Sequence, residues 1–232
     1  MVVEKRPWEA QISAVAALDE PTRRRLYDYV VGQPAPVSRD DAAEALGLPR
    51  ATAAFHLDRL VEQELLDVDY QRRTGRTGPG AGRPAKLYHR SDHQVTVSLP
   101  QRCYELAGRL LASALEHAEH SGHSPRTSLG QRAYQLGKNL GETARGTGED
   151  PDSRDTVLRI LQAYGYEPRS QDGDIALINC PFHTLAQEHT ELVCGMNLRL
   201  LDGILDGLST TTLRAHPDPA PPHCCVRLRP AP

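Results

Sequence analysis

Apolar positions recur at helical spacing from Trp8 to Val31, where Ile12, Val15, Leu18, Leu26, Tyr29 and Val30 form a stripe. Pro21 interrupts it, and Asp19-Glu20-Pro21-Thr22 predicts a second helix start with proline in its first turn. Ser38 is placed to cap a short helix from Arg39 to Leu46, with Asp40 and Asp41 near its positive end. Gly47-Leu48-Pro49 predicts a tight turn. Arg50 to Gln63 then reads as a third helix, with Ala53, Leu57, Leu60 and Val61 on its apolar side. Leu65 to Tyr70 alternates like a strand, and Lys86 to Arg90 returns after a loop rich in Gly and Arg. Helix, glycine turn, helix, then two strands around a basic loop is the plan of a winged helix-turn-helix.

The pattern continues differently beyond residue 92. Ser91 to Pro100 reads as a linker. Cys103 to His120 carries Leu106, Leu110, Leu111, Ala114 and Leu115 at helical spacing, as a dimerisation helix would. Helices are expected at Leu129–Ala144 and Thr156–Tyr164, then a strand at Ile175–Ile178 and a long helix from Leu185 to Leu208. Short strands follow at Leu213 and Val226–Leu228. The expected fold class is α+β and mostly helical. A winged helix-turn-helix spans residues 1–92, a linker and dimerisation helix 93–122, and an α+β domain 123–232.

The chain has 232 residues, enough for one large or two small domains. No apolar run approaches the roughly 20 residues of a membrane helix, and Lys5 and Arg6 have no apolar segment behind them, so no secretory signal is expected. A cytoplasmic location with reduced thiols follows as the expectation. The net charge of −3 says little, but from Gln71 to Arg90 the basic residues Arg72, Arg73, Arg76, Arg83, Lys86 and Arg90 stand without an acid among them. Such a segment suits contact with phosphate. On the recognition helix, Arg50, Thr52, Ala53 and His56 at the N-terminal end, with Arg59 a turn on from His56, are the expected contacts to double-stranded DNA.

Four of the five cysteines lie in the last quarter, as Cys180, Cys194, Cys224 and Cys225. Thirteen residues separate Cys180 from Cys194 and twenty-nine separate Cys194 from Cys224, unlike the close pairs of a zinc knuckle. The spacing instead suits a site built by distant elements, holding a group that prefers thiolate. Neighbouring side chains diverge on a strand, so one of Cys224 and Cys225 is expected to face the site and the other to turn away. His183, three residues after Cys180, is a candidate further ligand. Cys103 reads as a small buried hydrophobe. No nucleophile with a base and an orienting group is visible, so no catalysis and no small-molecule substrate are expected.

Asp40 to Leu48, Thr52 to Leu60 and Gly82 to Tyr88 resemble the DNA-binding domain of bacterial ArsR- and DeoR-like regulators. With Asn179-Cys180-Pro181-Phe182, Leu192 to Met196 and His223 to Val226, the whole chain resembles the SufR family. The resemblance implies an iron–sulfur cluster, 4Fe-4S or 2Fe-2S, ligated by Cys180, Cys194 and Cys224, with His183, a carboxylate or no protein group in the fourth position. It also implies a homodimeric repressor that binds a palindromic operator of cluster-assembly (suf) genes when loaded and releases it on cluster loss. A zinc-type ion held by the same Cys and His side chains is the alternative.

Overall fold

The computed structural model describes residues 7–71, 84–145, 154–210, 212–218 and 224–231. It divides into two compact units, Met1–Val97 and Ser98–Pro232. The dimerisation helix anticipated between two domains is thus part of the second unit.

In the first unit, α1 (Trp8–Ala17) and α2 (Pro21–Val31) are separate helices. Glu20 caps α2: its carboxylate accepts the backbone N–H of Thr22 at 3.0 Å and of Arg23 at 2.6 Å. A two-residue strand β1 (Val37–Ser38) leads into α3 (Arg39–Leu46). Ser38 and Asp41 close a reciprocal capping box there. Gly47 ends α3 in the left-handed region, at φ 64°, which a Cβ would disfavour, and so sets the turn into α4 (Arg50–Glu62). β2 (Leu66–Gln71) and β3 (Ala85–Arg90) pair antiparallel from Leu66↔Arg90 to Gln71↔Ala85, and β1 joins the far side of β3. Ala14, Leu26, Ala53, Leu57, Leu60 and Leu66 are fully buried between helices and sheet. Burying each leucine is worth roughly 1.5–3 kcal/mol.

The second unit holds α5 (Tyr104–Ser121), α6 (Pro125–Arg145), α7 (Arg154–Ala163), β4 (Pro168–Gln171), β5 (Asp174–Leu177), α8 (His183–Glu188), α9 (Thr190–Leu208), β6 (Leu213–Pro217) and β7 (Val226–Pro230). The strands form an antiparallel sheet ordered β4-β5-β7-β6. The apolar stripe from Leu185 to Leu208 is two helices, because His189 leaves helical geometry at φ −128°, ψ 53°. β4 was not expected: its charged and polar residues are exposed and carry no alternation to read.

α6 and α9 pack backbone to backbone. Gly137 and Gly141 on one helix and Gly203 and Gly207 on the other leave no room for a Cβ. A methyl on Gly203 would overlap the Tyr134 carbonyl oxygen and lie 2.9 Å from the Lys138 nitrogen. This contact places α9, and with it Cys194, against the core that also buries Cys180 and Cys224.

Candidate functional site

Each unit carries one candidate site. In the first, α4 turns Ala53, Leu57 and Leu60 inward and exposes Ala51, Phe55, Arg59 and Glu62. Ala53 is 0% exposed, so it cannot meet a base; its four-residue spacing from Leu57 makes it a core residue. His56 also departs from expectation. Its side chain is 13% exposed and its Nδ1 sits 3.5 Å from Glu20 Oε2, against the cap of α2 rather than at the helix face. Thr52 is half-buried, while Arg50 and Arg59 are exposed.

Three of the cations expected to meet DNA are engaged with acids. Arg50 pairs with Asp40 at 2.5 Å, Arg59 with Glu62 at 2.6 Å, and Lys86 of β3 with Asp58, which also accepts the Tyr88 hydroxyl at 2.8 Å. Burial and that hydrogen bond push the Tyr88 pKa up. Arg72, Arg73, Arg76 and Arg83 lie outside the described residues.

The second site is built on the turn after β5. Asn179 donates from Nδ2 to the carbonyls of Gln101 at 3.0 Å and Gly165 at 2.6 Å, and its Oδ1 accepts the Arg102 guanidinium. Arg102 also donates to the Cys180 carbonyl at 3.0 Å, and the Cys103 amide to the Pro181 carbonyl at 3.0 Å. This clamp holds Cys180 at the start of a turn closed by the His183 amide on the Cys180 carbonyl, 3.1 Å. Phe182 is fully buried beneath it. Cys103 is buried, as expected, with its thiol on the Tyr164 carbonyl at 3.3 Å.

All four late cysteines are free and lie near enough for their thiols to perturb one another, Cys180 with Cys224, Cys224 with Cys225, and Cys225 with Cys194. Cys225 therefore faces the same site as Cys224. The expectation that one of the two turns away fails because the pair precedes β7 and lies in a bend, where strand alternation does not apply. His183 is half-buried, and its backbone N–H closes this turn. His223 lies outside the described residues.

N–H groups surround the sulfur atoms. Asn197 of α9, 0% exposed, donates from Nδ2 to Cys224 Sγ at 3.1 Å and also reaches Cys225. The buried Tyr166 hydroxyl donates to Asn197 Oδ1, which fixes the amide so that its NH2 points at sulfur. The Phe182 amide serves Cys180. Cys224 has one S–H proton and serves one neighbour at a time. Its bond pushes Cys180 down, and pushes Cys225 down to about 6 with Cys194 and Asn197 adding to the effect against burial. Burial and the neighbouring Cys225 push Cys194 up to about 12; Cys224 is raised by its interactions with the Cys180 and Cys225 sulfurs and by burial.

Donor chemistry and arrangement give different answers to the question of what the four thiols could hold. Four thiols from three parts of the chain, with N–H donors from Asn197 and Phe182, match the ligand set of an iron–sulfur cluster. Yet among the described residues no three His, Cys, Asp or Glu side chains surround a point where a single metal ion would sit. The four thiols interact with one another without converging on one such point. Arg102, Tyr166 and Asn197 were not named from sequence, Asn179 entered only as part of its motif, and Cys225 only as the alternative to Cys224. Asn197 carried a signal: a lone amide among the apolar positions of α9, three residues from Cys194 and so on its face.

Residues 18–69 match a helix-turn-helix domain family. The match spans α2 to β2 and supports a DNA-binding, winged-helix transcription regulator. No curated protein and no solved structure matches the chain. Among the described residues, no helix is long and apolar enough to cross a membrane.

Proposed function

We propose that this regulator is an iron–sulfur-cluster-sensing repressor that binds a palindromic operator as a homodimer. Its targets would be genes of iron–sulfur cluster assembly. The observation that supports the reading is the group of four free, mutually interacting thiols in the second unit, three of them with amide N–H partners. Cys180, Cys194, Cys224 and Cys225 would hold the cluster, with Cys225 in place of His183 as the fourth ligand. Bound there, the cluster supplies an oxidant- and iron-sensitive link between β5, α9 and the chain before β7.

The residues around the sulfur atoms do the rest. Asn197 and the Phe182 amide hold thiolates by N–H···S bonds, which favour the anionic form. Asn179 and Arg102 keep the Cys180 turn in place. On α5, the exposed Leu115 and half-buried Leu111 offer an apolar strip for a second copy. DNA release on cluster loss requires that the loaded and empty dimers differ in operator affinity.

Anaerobic purification followed by iron and sulfide analysis tests the cofactor. A brown protein with both elements is expected. Colourless, zinc-loaded protein would replace the cluster by an ion on the same thiolates. Footprinting of DNA upstream of its own gene, with loaded and empty protein, tests the sensing. Equal protection by both forms would contradict it. Cys225→Ser is expected to lose the colour, as are Cys180→Ser, Cys194→Ser and Cys224→Ser.

A further inference from the structure

We infer that Phe55 is a specificity-determining residue that reads the C5-methyl group of a thymine in the major groove of each operator half-site. The inference rests on the DNA-binding part of the proposed function and is independent of the thiol site. Phe55 lies in the middle of α4 on the outward face, 66% exposed, while the inward face fills the core.

The ring is propped. It meets the His56 ring edge-on, with centroids 5.2 Å apart and planes at 72°. His56 in turn is wedged against the Glu20 carboxylate that caps α2. A preorganised ring loses little freedom on binding. This also gives His56 a role in place of the base contact it does not make: it positions Phe55.

The side chains around Phe55 set what it can recognise. Arg50, Arg59 and Lys86 are each paired with an acid, so the centre of the face is electrically quiet around an apolar ring. In the major groove the four base pairs offer hydrogen-bond donors and acceptors, and one apolar feature, the thymine methyl. A phenyl ring has no donor or acceptor to satisfy the others. A helix lying in the groove through its N-terminal half presents residues at this position to base edges.

The test replaces thymine by uracil, which removes the methyl and keeps every hydrogen-bonding group. Duplexes are first selected from a random pool by the full-length wild-type protein. Thymines in the selected site are then replaced one at a time. Wild type is expected to weaken about fourfold at one position per half-site, the value of one methyl buried. Phe55→Ala is expected to bind the thymine and uracil duplexes equally, and Phe55→Leu to restore part of the discrimination. Phe55 is exposed, so both variants should keep the wild-type melting temperature.

Indifference of wild type to uracil at every position would overturn the inference. So would an unchanged uracil effect in Phe55→Ala, or a loss of affinity in that variant that is the same for every duplex. Failure of the full-length protein to select any DNA, loaded or empty, would instead overturn the DNA-binding reading beneath it.

Discussion

Two glycines of α9 should respond to alanine with opposite signs. Gly195 is exposed and has nothing within 4 Å of an added Cβ. Alanine there removes only the backbone-entropy disadvantage of glycine, so Gly195→Ala should stabilise by about 1 kcal/mol. Gly203→Ala makes the same entropic gain, but the methyl lands on the Tyr134 carbonyl and Lys138 nitrogen of α6. Those are backbone atoms and cannot rotate aside, so the helices must part and forfeit contacts along their length. Overpacking strain of about 3 kcal/mol, less the gain of about 1, leaves a net loss near 2 kcal/mol. For a unit of this size that corresponds to melting about 7 °C lower for Gly203→Ala and about 3 °C higher for Gly195→Ala. Calorimetry of the metal-free protein reads both. Trp8, the only tryptophan, lies in the first unit, so its fluorescence should report an unchanged transition there. If Gly203→Ala melts at or above wild type, the close approach of α6 and α9 is wrong.

Three further outcomes follow from named contacts. Asn197→Ala strands the buried Tyr166 hydroxyl and should lower stability in urea by about 1–3 kcal/mol, of which Tyr166→Phe in the same chain should recover a part; simple additivity of the two changes would deny the bond. In metal-free protein, Cys225 should be alkylated first. Its thiolate fraction should rise from pH 5 to 7 around a pKa of about 6, while Cys194, pushed up to about 12, stays protonated and slow; mass spectrometry of labelled peptides shows the order, and equal rates would contradict the mutual perturbation of the thiols. Asp40→Asn frees Arg50, so DNA binding should tighten and its logarithmic salt dependence should steepen by up to about one phosphate contact; an unchanged salt slope would mean that Arg50 stays away from phosphate.

What could be read from sequence was what depends on near neighbours. Ser38, Asp41 and Gly47 are a cap and a stop whose partners lie within four residues, and they place the helix-turn-helix without tertiary knowledge. Ala53 was legible too, since its spacing from Leu57 and Leu60 assigns it to the core; naming it as a base contact set a motif position above periodicity. The break at His189 was not legible, because the apolar stripe runs through it and only the backbone leaves the helix. Tyr166 and Asn197 meet across 31 residues, and nothing local announces such a pair. The cysteines combine both situations. Their distance in sequence suggested a site assembled by folding, and the fold does bring the four thiols near one another. The orientation of Cys224 against Cys225, however, depends on whether they lie in β7 or before it, a matter of one or two residues at a strand end. That boundary is where sequence periodicity is weakest, and here it decides whether the site has three thiols or four. Gly137 and Gly141 of α6 and Gly203 and Gly207 of α9 stand at four-residue spacing in plain view. They acquire meaning only once the two helices are known to touch, because a glycine on a lone helix is a weakness and at such a crossing is the condition for contact.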